Sequence, residues 1–343
     1  RVDGLESRFN DFEAGSFSDT TVASFGAAFV FGAEDTSSTE TSTGLATDND
    51  LDDSIQAGYS FGMKLTTSFT GEDKLVTKFD AGNSKAGSLS EFGLNNTTAD
   101  ALVVDGISYT FPLGDMTAFV GDTVDGGSLF TIACVYGGPS DTLDDCGNVN
   151  SAIGKGSKTA AGASYDFGNG VQAAVGYTGG ATGLGTLENS DAFAGQVSYS
   201  ADSYGFSATY GVIDNAMIVA TDDNNGYTAS KYTALNAFFQ PEGYPSISAG
   251  YEWGDIGGAT DTTDESTSFF VGVNGDVGPG TAGFALGYSD NVEDTDEEYM
   301  YEVYYSYPIN DGMTITPLLY TKENATTGVD DETGIMVKTS FSF

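Results

Sequence analysis

The side chains of this sequence that could do chemistry are a few basic residues among many acidic ones. The 343 residues include 11 Lys and Arg, 50 Asp and Glu and no His, so the formal net charge is -39. Without His the chain lacks the commonest proton shuttle and metal ligand. No phosphate-binding loop, zinc spacing or Ser/His/Asp set can be assembled. We therefore expect no enzyme activity and, because nucleic acids are bound through Lys and Arg, no nucleic-acid partner.

The lysines are the informative charges. Lys64, Lys78 and Lys338 fall on polar faces near the middle of predicted strands, and Lys74 lies on such a face nearer a turn. Folding the hairpin about Gly71 brings Lys64 roughly opposite Lys78, and like charges across a ladder are destabilising. We predict a basic wall patch that also includes Lys338. The alternative is a set of scattered lysines neutralised by neighbouring acids.

A long segment, near residues 124 to 158, carries the only two cysteines and several acids: Cys134, Cys146, Asp141, Asp144 and Asp145. The cysteines are close enough to bridge, which would imply an oxidising compartment. The bridge would either stiffen a constriction or simply stabilise an outer loop. Loop carboxylates facing wall lysines would form a charged eyelet, and its net preference for anions or cations stays open.

Apolar residues recur at every second position along most of the chain, which is the period of a strand with one apolar face. Tyr59, Phe61 and Met63 share one side of such a segment, while Ser60 and Lys64 lie on the other. The same test predicts sixteen strands, near residues 21–31, 55–69, 73–82, 100–111, 115–123, 159–168, 171–178, 192–200, 204–212, 231–239, 246–254, 266–275, 280–289, 298–308, 312–321 and 332–342.

The connections between these strands alternate between short turns and long acidic loops. Gly71, Gly114 and Gly170 lie in short turns, whereas the long loops hold most of the acids. Membrane strands must close into a ring, because an unpaired edge costs several kcal/mol in hydrocarbon. The polar face then lines a water-filled lumen. The sequence predicts an all-β, 16-stranded antiparallel transmembrane barrel over residues 19–343, with short periplasmic turns and long extracellular loops.

Four short segments resemble the cyanobacterial outer-membrane porins related to the carbohydrate-selective porins. They are Leu5–Ser18, Gly71–Asn83, Tyr109–Asp115 and the carboxyl-terminal Phe343. The resemblance implies a multi-pass outer-membrane porin that lets small hydrophilic solutes and inorganic ions diffuse passively, with bilayer lipid around it and three copies in a homotrimer. Where the family more often has Arg, this chain has Lys74 and Lys78, which puts any bidentate solute contact in doubt.

Members of that family normally carry an amino-terminal surface-layer-homology domain, which grips the peptidoglycan layer, followed by a coiled coil. This chain is expected to lack the domain, and residues 1–18 are expected to be the remnant of the coiled coil, with Val2, Leu5, Phe9 and Phe12 at heptad-like spacing. Peptidoglycan anchoring through the missing domain is thus implied by the resemblance alone.

Two other functions compete with a porin. One is a barrel plugged by its loops, acting as an adhesin or as a structural link between outer membrane and wall, and the other is a soluble, secreted, acid-rich β-protein. We expect no cofactor beyond weak Ca²⁺ or Mg²⁺ binding at acidic loops. The densest acidic cluster consists of Asp290, Glu293, Asp294, Asp296, Glu297 and Glu298.

Overall fold

The computed structural model describes residues 20–35, 54–83, 90–92, 94, 98–146, 158–180, 184–185, 190–214, 229–257, 264–292, 295–324 and 331–343. Over these residues the chain forms one closed antiparallel barrel of sixteen strands, in which every strand pairs with its neighbours in sequence and the last pairs with the first. The predicted fold is confirmed. The predicted coiled-coil remnant, residues 1–18, lies outside the described residues. In the described part, no helix is long and apolar enough to cross a membrane.

The strands run between short turns at one rim and long loops at the other. Their bounds are β1 Thr21–Asp35, β2 Gln56–Thr67, β3 Lys74–Gly82, β4 Val103–Leu113, β5 Met116–Val124, β6 Lys158–Gly168, β7 Val171–Gly179, β8 Asp191–Ser200, β9 Tyr204–Asp214, β10 Ala229–Phe239, β11 Ser246–Asp255, β12 Glu265–Val277, β13 Gly280–Val292, β14 Met300–Asn310, β15 Met313–Lys322 and β16 Glu332–Ser342.

Alternate residues of each strand face opposite sides of the barrel wall. In β1, Phe29 and Phe31 point outward and are 47% and 55% exposed, whereas Val30 between them is 0% exposed inside the barrel. The outward positions are rich in aromatic and branched side chains, and the inward positions are mostly Gly, Ser, Thr and Ala. An apolar exterior around a polar interior is typical of barrels embedded in a membrane.

Aromatic rings gather in two outward-facing belts, one near each rim. Ring pairs near the long loops have centroids 5.0 to 6.1 Å apart, and pairs near the short turns 4.8 to 5.5 Å apart: Tyr177 with Phe193, Tyr251 with Trp253 and Phe269 with Tyr288 in the first belt, and Tyr165 with Phe167, Tyr109 with Phe111 and Tyr199 with Phe206 in the second. Such girdles lie at the two interfaces of membrane barrels.

Local backbone chemistry decides where strands end. Strand β4 was predicted to begin near residue 100 but begins at Val103, because Ala99 and Asp100 adopt left-handed φ angles of 51° and 66° in a turn. At the opposite rim, the β6–β7 turn uses Gly168, Asn169 and Gly170 with φ of 78°, 53° and 83°. Glycine and asparagine tolerate this region at low cost.

Candidate functional site

The long loop between β5 and β6, here called loop L3 (residues 125–157, described to 146), folds into the barrel and lies along its inner wall. Alternate backbone N–H groups of the loop donate to inward-facing side chains of three strands. Thr131 donates to Gln196 Oε1 in β8 (2.6 Å), Ala133 to Ser207 Oγ in β9 (3.1 Å) and Val135 to Ser248 Oγ in β11 (3.0 Å). The loop thus crosses the strands with its N–H groups satisfied by the wall, as buried backbone requires.

Beyond this ladder, loop L3 builds a small apolar core inside the barrel. The ring of Tyr136 packs against Phe270 and Tyr304 at centroid distances of 5.3 and 5.9 Å, and its hydroxyl donates to Glu302 Oε1 at 2.5 Å. Both Glu302 and Phe270 are almost fully buried. Inward aromatics such as Phe270 and Tyr304 are therefore covered by the loop and do not form a track along the lumen.

A disulfide closes loop L3 on itself. It joins Cys134 and Cys146, whose Cα atoms are 6.1 Å apart, and Cys146 is fully buried within the apolar core. The closed segment contains Tyr136 and the acids Asp141 and Asp144. The bridge therefore restricts the part of the loop that touches the wall.

The loop between β3 and β4, here called loop L2 (residues 83–102), fastens loop L3 through Glu91. The Thr142 hydroxyl donates to Glu91 Oε1 at 2.9 Å, the Asp141 N–H donates to the Glu91 carbonyl at 2.8 Å, and Lys322 lies 3.8 Å from the carboxylate. Burial raises the pKa of Glu91, while Lys322 and Thr142 act in the opposite direction.

A second carboxyl cluster lies where β15, β16 and β1 meet near the long-loop rim. The Tyr320 hydroxyl is 2.8 Å from Glu34 Oε1 and 2.7 Å from Glu332 Oε1. One hydroxyl carries one hydrogen, so it is either shared between the two carboxylates or donated to one of them while the other is protonated and donates to the hydroxyl oxygen.

Of the predicted lysines, Lys64 and Lys78 are brought together. They are Cα partners in the β2–β3 ladder, and both are exposed on the inner face. Within the described residues no ion pair or hydrogen bond involves either ammonium group. Lys74 lies on the same face at the start of β3, where it pairs with Thr110. The inward-facing residues of β2 and β3 around the pair are called the lysine wall below.

Lys338 is separate from this pair. It pairs with Val30 in β1, six residues along the strand from Ser24, the partner of Lys64. Six residues of strand correspond to about 20 Å. Its ammonium donates to the Phe92 carbonyl of loop L2 at 3.2 Å and interacts electrostatically with Asp144 of loop L3. One predicted wall lysine thus meets one predicted loop acid beneath the loops.

The remaining predicted acids lie in the loops. Asp141 is exposed, and Asp145 lies in a short 3-10 helix, Asp144–Cys146. Of the cluster predicted to attract Ca²⁺ or Mg²⁺, Asp296, Glu297 and Glu298 are exposed, whereas Glu293 and Asp294 lie outside the described residues and Asp290 belongs to β13. Among described residues no group of three acids is placed to hold a metal ion. Weak cation binding there stays a prediction.

Loop anchors are the functional residues that sequence reasoning missed. Glu302 carried a signal, because it is an acid between two outward-facing apolar residues, Tyr301 and Val303, in mid-strand. Ser207 and Ser248 carried a weaker one, since polar residues alternate with apolar ones along β9 and β11. Nothing in the sequence pairs them with loop L3.

No protein-family profile matches the chain. The chain is 26% identical to the uncharacterized protein alr4550 of Nostoc sp. strain PCC 7120, over 100% of this chain and 69% of that protein.

Among solved structures, the chain is similar to OprB of Pseudomonas putida, with a TM-score of 0.68 at 12% identity, over 99% of this chain and 97% of that one. It is also similar to a mutant of the Rh. blastica porin, with a TM-score of 0.58 at 14% identity, over 94% of this chain and 100% of that one. At these identities the likeness shows a shared fold, and that fold is the porin barrel.

Proposed function

We propose that this protein is an outer-membrane porin, a passive diffusion channel for small hydrophilic solutes and inorganic ions. One observation carries the proposal: the barrel is apolar and exposed outside, while part of its polar inner wall is left uncovered by the loops. The exposed inward residues include Lys64 and Lys78. A water-soluble barrel would have no reason to expose Phe29, Phe31 and Phe206 around its outside.

The lumen is divided into two unequal environments. From β7 round to β1 the inward residues are largely buried beneath loops L2 and L3, as shown by Gln196, Ser248, Glu302 and Val30 at 3%, 1%, 1% and 0% exposure. From β2 to β3 the lysine wall is open. The solute path proposed here runs between loop L3 and the lysine wall.

This arrangement supports the proposal of a charged constriction. Lys64 and Lys78 would stand on the wall, and Asp141 is an exposed carboxylate on the loop that narrows the lumen. Opposite charges across a narrow path set up a transverse field, and fixed charges at the narrowest point select ions most strongly. Homotrimer assembly and peptidoglycan anchoring remain proposals that rest on the family resemblance.

One observation favours the competing function of a plugged barrel that serves as an adhesin or as a link between membrane and wall. Loops L2 and L3 form an apolar core with the wall inside the barrel, built from Ala28, Val30, Phe92, Leu94, Tyr136, Leu143, Cys146, Phe270, Ala285, Met300, Tyr304, Leu318, Tyr320 and Met336. A loop packed in this way would narrow the channel strongly. The two functions differ in whether the path along the lysine wall conducts.

Planar-bilayer recording of the purified protein in KCl separates them. A porin gives stepwise, stable conductance increments, and a plugged barrel gives no steady current. Heat-modifiable migration on a detergent gel serves as the folding control. A protein that stays soluble without detergent would contradict the membrane location.

A further inference from the structure

Neither ammonium of the lysine pair in the β2–β3 ladder forms an ion pair in the part of the chain that the structure describes. Residues directly opposed in an antiparallel ladder have Cβ atoms about 5 Å apart, and like charges there are destabilising. Three other lysines have partners: Lys231 lies 3.3 Å from Asp255, Lys322 lies 3.8 Å from Glu91, and Lys338 donates to a carbonyl of loop L2. Lys74 and Lys158 have no ion pair among the described residues, but neither is opposed to another lysine in the ladder. In a protein with a net charge of -39, two unpaired ammonium groups side by side call for an external anion.

The nearest acid on the same face does not supply that anion. Asp80 is two residues beyond Lys78 and pairs with Gly62, but its carboxylate is not within 4.0 Å of either ammonium. The acid with which Asp80 interacts is Asp105, and one of its oxygens has no hydrogen-bond partner. Neither acid forms a direct ion pair with Lys64 or Lys78.

The residues beside the lysine pair on the inner face of the barrel are small and leave space around the two side chains. Gly62 lies two residues before Lys64 on the same face of β2. A Cβ atom placed on Gly62 would meet nothing within 4 Å. Its partner in β1 is Gly26, and the partner of Lys64 is Ser24. The two lysine side chains are therefore surrounded by small residues on the inner face, which leaves room for a hydrated ion. The Ser24 hydroxyl belongs to the same patch.

We propose that Lys64 and Lys78 form a binding station for small dianionic oxyanions, of which inorganic phosphate and sulfate are the test cases. The station rests on the proposed function, because the ion must reach it along the lumen. Each ammonium has three donors, and a tetrahedral dianion can accept from both at once. Coulomb attraction to each lysine is twice as large for a dianion as for chloride at the same distance, so the site favours the divalent ion.

Lysine rather than arginine suits a site that must also release its ion. The ammonium is a compact, strongly hydrated point charge on a flexible stem, whereas the guanidinium holds oxyanions in a planar, bidentate fork. Conduction requires a station that binds well enough to admit an ion and weakly enough to let it leave. The pair therefore accelerates the passage of dianions at low concentration and saturates at high concentration.

The test measures single-channel chloride conductance while potassium phosphate at pH 8 replaces part of the chloride at constant ionic strength, with potassium nitrate as the monovalent comparison. Beyond the loss that the removed chloride accounts for, phosphate should lower the current in a saturable manner, and nitrate should not. In K64Q/K78Q the phosphate concentration for half the effect should rise at least tenfold, and each single variant should fall between. The matched control is K158Q/K231Q, which removes the same charge outside the pair and should behave as wild type.

An unchanged half-effect concentration in K64Q/K78Q, or an equal effect of nitrate and phosphate, would overturn the station while leaving the channel intact. A complete absence of steady current in the wild type would instead refute the proposed channel. In that event, calorimetric titration of the detergent-solubilised protein with phosphate decides the station alone: a loss of binding in K64Q/K78Q and not in K158Q/K231Q supports it, and no binding to the wild type refutes it.

Discussion

Replacing Tyr136 by Phe would test whether loop L3 is anchored by a single buried hydroxyl. Tyr136→Phe removes the 2.5 Å bond to Glu302 and keeps the ring that packs on Phe270 and Tyr304. A hydrogen bond to a charged group contributes about 1.5–3 kcal/mol. Taking about 2 kcal/mol, the equilibrium for local detachment of the loop should rise about 30-fold, since about 1.4 kcal/mol corresponds to a factor of ten.

Hydrogen exchange measures this detachment directly. The amides of Thr131, Ala133 and Val135 donate to wall side chains and should exchange only when the loop leaves the wall. Their exchange rates should rise about 30-fold in Tyr136→Phe. The matched control is Tyr301→Phe, whose hydroxyl reaches Glu323 on the exposed outside at 3.1 Å, and it should leave these rates unchanged.

A double-mutant cycle sharpens the attribution. In Glu302→Gln the acceptor remains but is neutral, and a neutral hydrogen bond is worth about 1 kcal/mol. The effect of Tyr136→Phe in that background should fall to about fivefold. Exchange rates in Tyr136→Phe within twofold of the wild type would refute the anchor, and the loop would then be held by its backbone ladder, its ring packing and its contacts with Glu91.

Three other outcomes follow from the same structure. Replacing both Cys134 and Cys146 by serine should speed hydrogen exchange in loop L3 and add open-channel noise, because the disulfide stabilises the folded loop by about 3 kcal/mol in the chain-entropy model. Unchanged noise and exchange would contradict this prediction. Because burial raises the pKa of Glu91, its contribution to loop anchoring is complete at acid pH and is lost as pH rises through that pKa. Hydrogen exchange in the loop should therefore accelerate with pH by more than its intrinsic pH dependence, and Glu91→Gln should flatten this extra trend. An identical pH dependence in the variant would contradict the prediction. In K64Q/K78Q the reversal potential in a KCl gradient should move toward cation selectivity. Lys338→Gln should move it little, because loop L2 covers that lysine. Equal shifts in the two variants would show that Lys338 also faces the ion path.

The barrel could be predicted from sequence because its signal is local. Alternation along a single segment such as Tyr59–Met63 identifies a strand and both of its faces without knowledge of any partner. The pairing of Lys64 with Lys78 was also within reach, because the short turn at Gly71 fixes the alignment of a hairpin. Predictions succeeded where a few neighbouring residues determine the geometry.

The failures concern contacts between distant parts of the chain. The position of Lys338 relative to Lys64 depends on the stagger with which β16 closes on β1, a property of the whole ring. Likewise, Tyr136 and Glu302 are 166 residues apart in sequence, and no pattern near either one names the other. The path of loop L3 is decided by which inward side chains it meets, and a sequence read strand by strand does not contain that choice.

Loop L3 is held to β8, β9 and β11 through its own N–H groups, and every residue type except proline supplies that donor. At these positions the wall therefore recognises the backbone of the loop, while the Thr131 hydroxyl also donates to Gln172 Oε1 at 2.7 Å. Substitutions at Val135 that avoid proline can alter the width and polarity of the passage while the loop keeps its position. The side chains that line the proposed constriction can therefore change while the backbone hydrogen bonds keep the loop in place. Filtering properties could diverge in this way among related barrels without a new fold.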